Sequence, residues 1–384
     1  MNDTLIAGLE SMLSLQRWNF LPRVETWVEA ENAAYVTHLA YALGRSRGFT
    51  DAQLEALLVR SLLKSLNKHF MTDINVGVRE KLKARNPQAW TRLVDDMAVR
   101  AAALFPAKIR RRVHPYLMDA PGYTVAGGAD AVEAVVQYAQ LTVAEKECQT
   151  NARIYADEYR ATLNDLRLRI EAIGDAARYD RLVSRHAAYF TTISRLGYLR
   201  RWNRINRMVS SSVLGHTYLV AVLAITCAML AEAAGMRRKG FLLTCILRAL
   251  FHDVPESLTG DIITPVKDII ATQDASLVEQ VEEALTHEFI QSAPRAVQKD
   301  LTGLRLATEL SGHTAHSVDS LVKHCDRMAL VLECVYEWKA GVRTPDIKRA
   351  YGRYNRELGT SEWPAVREFM ATVRRIWSGT AERC

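Results

Sequence analysis

The stretch CILRALFHDVPESLTGDIITPVK, residues 245–267, decides how the rest of the chain is read. Its first part is apolar: Cys245, Ile246, Leu247, Ala249, Leu250 and Phe251. That run predicts a buried helix whose end carries His252 and Asp253. Polar groups in such a place cost free energy unless something satisfies them. A divalent metal ion would do so, taking an imidazole nitrogen from His252 and a carboxylate oxygen from Asp253. Mixed nitrogen and oxygen ligation suits Mn, Fe, Co, Ni or Zn more than Ca. The plainer alternative is a hydrogen-bonded His-Asp pair closing a helix, and the dipeptide alone does not decide between them.

Two further elements favour the metal. His216 opens a strongly apolar run from Tyr218 to Ile225, and Asp326 sits in the helix-like segment LVKHCDRMAL, residues 321–330. The order is His, His-Asp, Asp, each member on a predicted helix. That order resembles the HD superfamily of metal-dependent phosphohydrolases. Arg201-Trp202-Asn203, His216, the string HDVPESLTGDIITPVK, Asp326 and the following LVLECVYEW are together similar to bacterial 5′-deoxynucleotidases of that superfamily. The resemblance covers roughly residues 190–340 and extends well beyond the two-residue signature.

Composition sets the frame. A chain of 384 residues is long enough for two ordinary domains, and 49% apolar residues supply material for cores. The net charge of +7 favours anionic ligands, nucleotides or nucleic acid, without choosing between them. Six cysteines show no C-x-x-C spacing, and several lie in apolar helical segments, which fits a reducing cytosol. Asp3 and Glu10 interrupt the N-terminal stretch, so no signal peptide is expected and the chain is read as cytoplasmic. The apolar run 217–231 is short for a membrane span and follows a candidate ligand directly. It is expected to be a core helix, with no membrane partner.

Gly and Pro are sparse and helical periodicity runs nearly throughout, so an all-α protein is expected. In 32–43, Ala33, Val36, Leu39, Ala40 and Leu43 fall at helical spacing. In 152–173, Ile154, Tyr155, Tyr159, Leu163, Leu166 and Ile170 do the same. Thr344-Pro345-Asp346 reads as a helix start with Pro at the first helical position.

The chain also echoes itself. Gln16-Arg17-Trp18-Asn19 matches Arg200-Arg201-Trp202-Asn203, and the same fourteen-residue step leads from Trp18 to Asn32 and from Trp202 to His216. With a small shift, Lys64 and Ser65 fall opposite His252 and Asp253. The segment 143–148 matches 329–334, which places Gln140 opposite Asp326. Each candidate ligand is therefore replaced in the first half, and Lys64 puts a positive charge where the other half would carry a cation. The expected architecture is two tandem HD-domain-like helical bundles forming a pseudo-dimer in one chain. Residues 1–180 are the degenerate domain without metal ligands, and 181–384 the catalytic HD domain. A further homodimer of the fused chain is left open. The connection, roughly 150–188, is charged and helical, so a fixed arrangement is expected rather than a flexible tether.

The candidate metal ligands are His216, His252, Asp253 and Asp326. Two neutral imidazoles and two carboxylates balance a divalent ion and leave positions for water and a phosphate oxygen. Mn, Co, Mg, Zn or Ni are the candidate ions. Glu256, one helical turn beyond His252, and Asp261, after Gly260, are the acid/base candidates, and the resemblance implies catalytic roles for them. A solvated helix Glu and a helix-capping Asp are the structural alternatives. Arg201 and Lys267 are phosphate candidates, and Trp202 resembles the family residue that packs at the sugar. Arg17 and Trp18 survive in the half without metal ligands, which points to a partly structural role for Arg201 and Trp202. Gly215 and Thr217 stand where the family often has an acidic residue and Ser, and they are placed near sugar recognition.

The resulting expectation is a metal-dependent phosphohydrolase that releases phosphate from nucleoside 5′-monophosphates, with the 2′-deoxy preference implied by the resemblance. The alternatives are an HD phosphohydrolase acting on a triphosphate, a cyclic nucleotide or another phosphate ester, and a regulatory protein binding nucleotide or nucleic acid.

Overall fold

The computed structural model describes residues 3–72, 74, 76–202, 205–236, 238–259, 276–304, 306 and 316–381. The chain is all-α: among the described residues no strand forms, and the only β-like pairings are two isolated bridges, Gln16 with Val28 and Arg200 with Ser212. In the first half, α1 (Asp3–Ser14), α2 (Glu29–Arg47), α3 (Asp51–Leu63), α4 (Ala129–Ala152) and α5 (Ala156–Glu171) carry the packing that matters for the site. In the second, α6 (Val213–Ala233), α7 (Phe241–Phe251), α8 (Val318–Lys339), α9 (Pro345–Gly359) and α10 (Pro364–Ala381) do so.

Local chemistry explains where these helices begin and end. Glu31 at the third position of α2 accepts the Val28 amide at 2.9 Å, and α2 stops at Gly48, whose φ of 86° suits a residue without Cβ. Ser212 caps α6 by accepting the Gly215 amide at 3.0 Å. Ser317 caps α8 through the Ser320 amide at 3.0 Å. Thr344 caps α9 through the Ile347 amide with Pro345 in the first turn, as the sequence predicts.

One expected helix is divided. Instead of a run over 152–173, α4 ends at Ala152 and α5 starts at Ala156, leaving Ile154 exposed. The Ile154 and Tyr155 amides both fold back onto the Asn151 carbonyl, which closes the turn. The rest of the connection is helical, over Ala156–Glu171 and Ala176–Arg185.

The core runs through both halves. In each, a central helix packs on its two partners: α2 on α3 and α4, and α6 on α7 and α8. The two central helices also pack on each other. Helix α6 is long and apolar enough to cross a membrane, yet 94% of its most apolar window is buried in the fold. It is the core helix the sequence predicts. His38 and Tyr41 of α2 stack edge-on against Phe251, at 4.8 and 5.7 Å between ring centroids. Polar ties reinforce the contact. Asp300 accepts from Tyr41 at 2.7 Å and from Arg45 at 2.6 Å, and Arg200 meets Glu31 at 3.2 Å. The first half thus supports the residue immediately before His252.

Several local features recur in the two halves. The two bridges are offset by 184 residues at both ends. Trp18 and Trp202 share a left-handed backbone, φ 54° and 58°, which non-glycine residues rarely adopt. Trp18 donates through Nε1 to Glu147, and Trp202 likewise to Glu333. Asn151 Oδ1 accepts the amides of Val24 and Glu25, and the Glu337 carboxylate accepts those of Met208 and Val209.

Candidate metal centre and active site

Three helices converge on the candidate centre. The first turn of α6 presents His216, the end of α7 presents His252 and Asp253, and α8 presents Asp326. One donor atom each from His216, His252 and Asp326 lies within 4.8 Å of the other two. His216 Nε2 is 2.9 Å from Asp326 Oδ1 and 3.9 Å from Asp253 Oδ2. His252 Nε2 is 3.1 Å from Asp253 Oδ1 and 3.9 Å from Asp326 Oδ1. Asp253 flanks this trio and is shared with Arg201, whose Nη1 stands 3.4 Å from Oδ2.

The imidazoles are set for ligation. His252 Nδ1 lies 2.7 Å from the Ala249 carbonyl, so in the neutral ring this nitrogen carries the proton and Nε2 keeps its lone pair. That Nε2 is buried and makes no hydrogen bond, despite the carboxylate beside it. His216 Nδ1 faces Glu333 Oε1 at 3.4 Å, the carboxylate-to-imidazole arrangement that orients a metal-bound histidine. A buried imidazole nitrogen without a partner, next to a second imidazole and two carboxylates, fits a divalent ion of borderline hardness.

The electrostatics follow from burial and close charge. Burial and the Arg201 guanidinium push the His216 pKa down, but hydrogen bonds to Asp326 and Glu333 outweigh them and raise it to about 9. Burial pushes Asp326 up, but His216, His252 and Arg201 outweigh that and bring it to about 2. Burial likewise opposes ionisation of Glu333, yet Arg201, His216 and Arg207 hold it well below the usual carboxylate range. The centre is therefore a dense, buried set of titratable groups drawn from α6, α8 and the end of α7.

Arg201 lies between Asp253 and Glu333, at 3.4 and 3.5 Å. Trp202 donates to Glu333 at 2.6 Å. Both side chains therefore anchor the loop before α6 to α8, the structural part that the sequence anticipates. Glu256 lies within the short helix Val254–Thr259, but its side chain is outside the described residues. Asp261 and Lys267 also lie outside the described residues.

The structure defines the surroundings of two further positions. A Cβ on Gly215 would meet Leu13, Ser212 and Glu31 at 3.3–3.7 Å. Position 215 therefore faces the first half of the chain. Thr217 is buried and its hydroxyl returns to the Val213 carbonyl of its own helix at 2.9 Å. Both positions are thus taken up in helix packing. Sequence reasoning also passed over Glu333 and Glu337 as functional groups. The signal was available: they fall one turn apart in LVLECVYEW, and Glu147 and Asn151 repeat the spacing in the first half.

Residues 188–375 match the family described as 5′-deoxynucleotidase YfbR-like. A 5′-deoxynucleotidase of Erwinia tasmaniensis is 30% identical over 159 residues, 41% of this chain and 76% of that one. The chain belongs to the 5′-deoxynucleotidase YfbR-like family. It is an HD-type hydrolase, as its sequence suggests. A 5′-deoxynucleotidase of Vibrio parahaemolyticus is 29% identical over 157 residues, 40% of this chain and 76% of the relative. Among solved structures, an HD-domain phosphohydrolase from Listeria innocua aligns at 18% identity and a TM-score of 0.38, over 50% of this chain and 96% of that one. The family match lies in the second half, where the four candidate ligands sit, and leaves residues 1–187 outside it.

Proposed function

We propose that the second half, residues 181–384, is a metal-dependent phosphomonoesterase that releases phosphate from nucleoside 5′-monophosphates, with 2′-deoxynucleotides preferred. One observation carries the reading: His252 Nε2 is buried without a hydrogen bond, and it lies in a trio with His216 Nε2 and Asp326 Oδ1. The activity named for the curated relatives supports the substrate class. His216, His252, Asp253 and Asp326 would hold the ion, and Mn, Co, Ni or Zn suit this donor set better than Mg. When bound, the ion supplies Lewis acidity toward the phosphoryl oxygens and an acidified water.

The chain's own groups do the rest. Asp253 and Glu333 hold the Arg201 guanidinium beside the centre, where it neutralises phosphate charge. Glu333 keeps His216 in its ligating orientation. Trp202, fixed by Glu333, borders the sugar. Glu256 and Asp261 carry protons to and from the water and the leaving 5′-oxygen, and Lys267 adds a second positive charge at the phosphate.

The first half, residues 1–180, is in this reading a degenerate copy, and the chain a fused pseudo-dimer. The paired bridges, the paired left-handed tryptophans and the paired Trp–Glu hydrogen bonds support it.

The test is turnover of ribo- and deoxyribonucleoside mono-, di- and triphosphates and of cyclic nucleotides, read as released phosphate or, for the cyclic esters, as ring opening. Metal-stripped protein is supplied in turn with Mn, Co, Mg, Zn or Ni. Release from deoxynucleoside 5′-monophosphates restored by one of these ions is the expected result. Turnover confined to triphosphates or to cyclic nucleotides would remove the monoesterase reading and keep the centre.

A further inference from the structure

The first half contains a cavity of about 440 Å³, within the range of small-molecule sites. By the internal echo of the sequence it corresponds to the metal centre of the second half: Asn32, Lys64, Ser65 and Gln140, the positions matching the four candidate ligands, all line it. Two amides, a hydroxyl and an ammonium are a poor donor set for a divalent cation, and the ammonium repels one. The same groups are a good set for an anion.

The charge of the walls points the same way. Lys64, Lys68, Arg79, Lys83 and Arg169 line the cavity together with Arg17. Of its carboxylates, Glu29 is engaged by Arg17 at 3.0 Å and Lys68 at 2.7 Å, and Glu133 by Arg60 at 2.7 Å. Asp119 approaches Lys64 no nearer than 3.7 Å. Burial, and then the Arg60 guanidinium, hold the Lys64 pKa below its ordinary value despite Glu133 and Asp119, so an arriving anion would offset the cost of burying this ammonium beside a second cation. The cavity is also aromatic. Trp18, Phe20 and Trp90 line it, and Phe20 is exposed. Buried Asn32 Oδ1 and Trp90 Nε1 lack hydrogen-bond partners, one an acceptor and the other a donor. A cationic wall, aromatic faces and orphaned polar atoms together describe a phosphate, a planar base and the polar edge of a sugar or base.

We propose that this cavity binds a mononucleotide without a metal ion, with Lys64 and the neighbouring cations taking the phosphate in place of the lost cation. The site does not depend on hydrolysis in the second half. Because α2 carries Asn32 and also packs on α6 and Phe251, the ligand would sit one helix away from the catalytic centre.

The experiment is equilibrium dialysis of labelled dAMP and dATP against the full-length chain in excess chelator, which silences the metal centre. One equivalent of mononucleotide is expected to bind. Affinity is expected to fall at least tenfold in Lys64→Glu and severalfold in the paired variant Arg79→Ala with Lys83→Ala, and to be unchanged in His252→Ala. Arg79 and Lys83 stand at the cavity's edge, so their variant keeps the test valid if Lys64→Glu does not fold. Absence of mononucleotide binding in chelator would overturn the proposal. So would binding that is lost in His252→Ala and kept in the Arg79, Lys83 variant, or binding of an oligonucleotide with no binding of mononucleotides.

Discussion

His38 offers a measurable handle on the contact between the two halves. It is fully buried on α2 against Phe251, and neither ring nitrogen makes a well-formed hydrogen bond. Burial lowers its pKa to about 3, partly offset by the Leu250 carbonyl. The folded protein therefore holds a neutral imidazole, while the unfolded chain takes up a proton near pH 6.5. The unfolded state binds more protons between those two values, so this group's stabilisation is full above pH 6.5 and is lost as pH falls toward 3. Between pH 7 and pH 5 the loss from His38 alone is about 2 kcal/mol. The assay is urea unfolding of wild type and His38→Leu at both pH values, compared through midpoints at constant m. Wild type should lose about 2 kcal/mol more than the variant over that interval. Equal losses in both proteins would refute the reasoning and show that His38 is protonated or solvated in the folded state.

Other perturbations have definite outcomes. Asp326→Ala should abolish phosphate release and bound metal together while leaving the helical circular dichroism signal intact. Glu333→Gln leaves all four candidate ligands in place but removes the charge that orients His216 and Arg201, so metal affinity measured by competition with a chelating dye should fall about 10–100-fold. Arg200→Ala breaks the ion pair with Glu31 between the halves. Arg200 is about half exposed, so thermal unfolding should shift by no more than about 1 kcal/mol. Gly215→Ala meets Leu13 at 3.3 Å, so it should lower stability slightly and leave the ratio of deoxy- to ribonucleotide turnover unchanged.

Much of this was legible in the sequence, for physical reasons. A helix as apolar as α6 has to be buried, and a histidine at its start and a His-Asp pair ending α7 need a common partner. The spacing of Arg17-Trp18 and Arg201-Trp202 from their helices carries the internal echo, because each tryptophan must reach a carboxylate on a helix distant in sequence, Glu147 or Glu333. What stayed hidden depends on tertiary contacts. Nothing local marks Ile154 as exposed, because its periodicity suits a continuous helix and the break comes from the turn onto Asn151. Gly215 is adjacent to His216 in sequence, which suggests adjacency to the site. Helical geometry instead turns the neighbouring residue about 100° away, toward α1 and α2. Glu333 was overlooked because a glutamate in a helix is usually solvated. Here it is buried between Arg201, Trp202 and His216.

The most direct single measurement is the metal content of purified, reconstituted protein, wild type against His252→Ala and Lys64→Ala, by plasma mass spectrometry. One ion per chain in wild type and in Lys64→Ala, and none in His252→Ala, is expected if the second half alone carries the metal. Two ions per chain in wild type, or one ion that survives His252→Ala, would contradict the assignment of the centre and the degeneracy of the first half together.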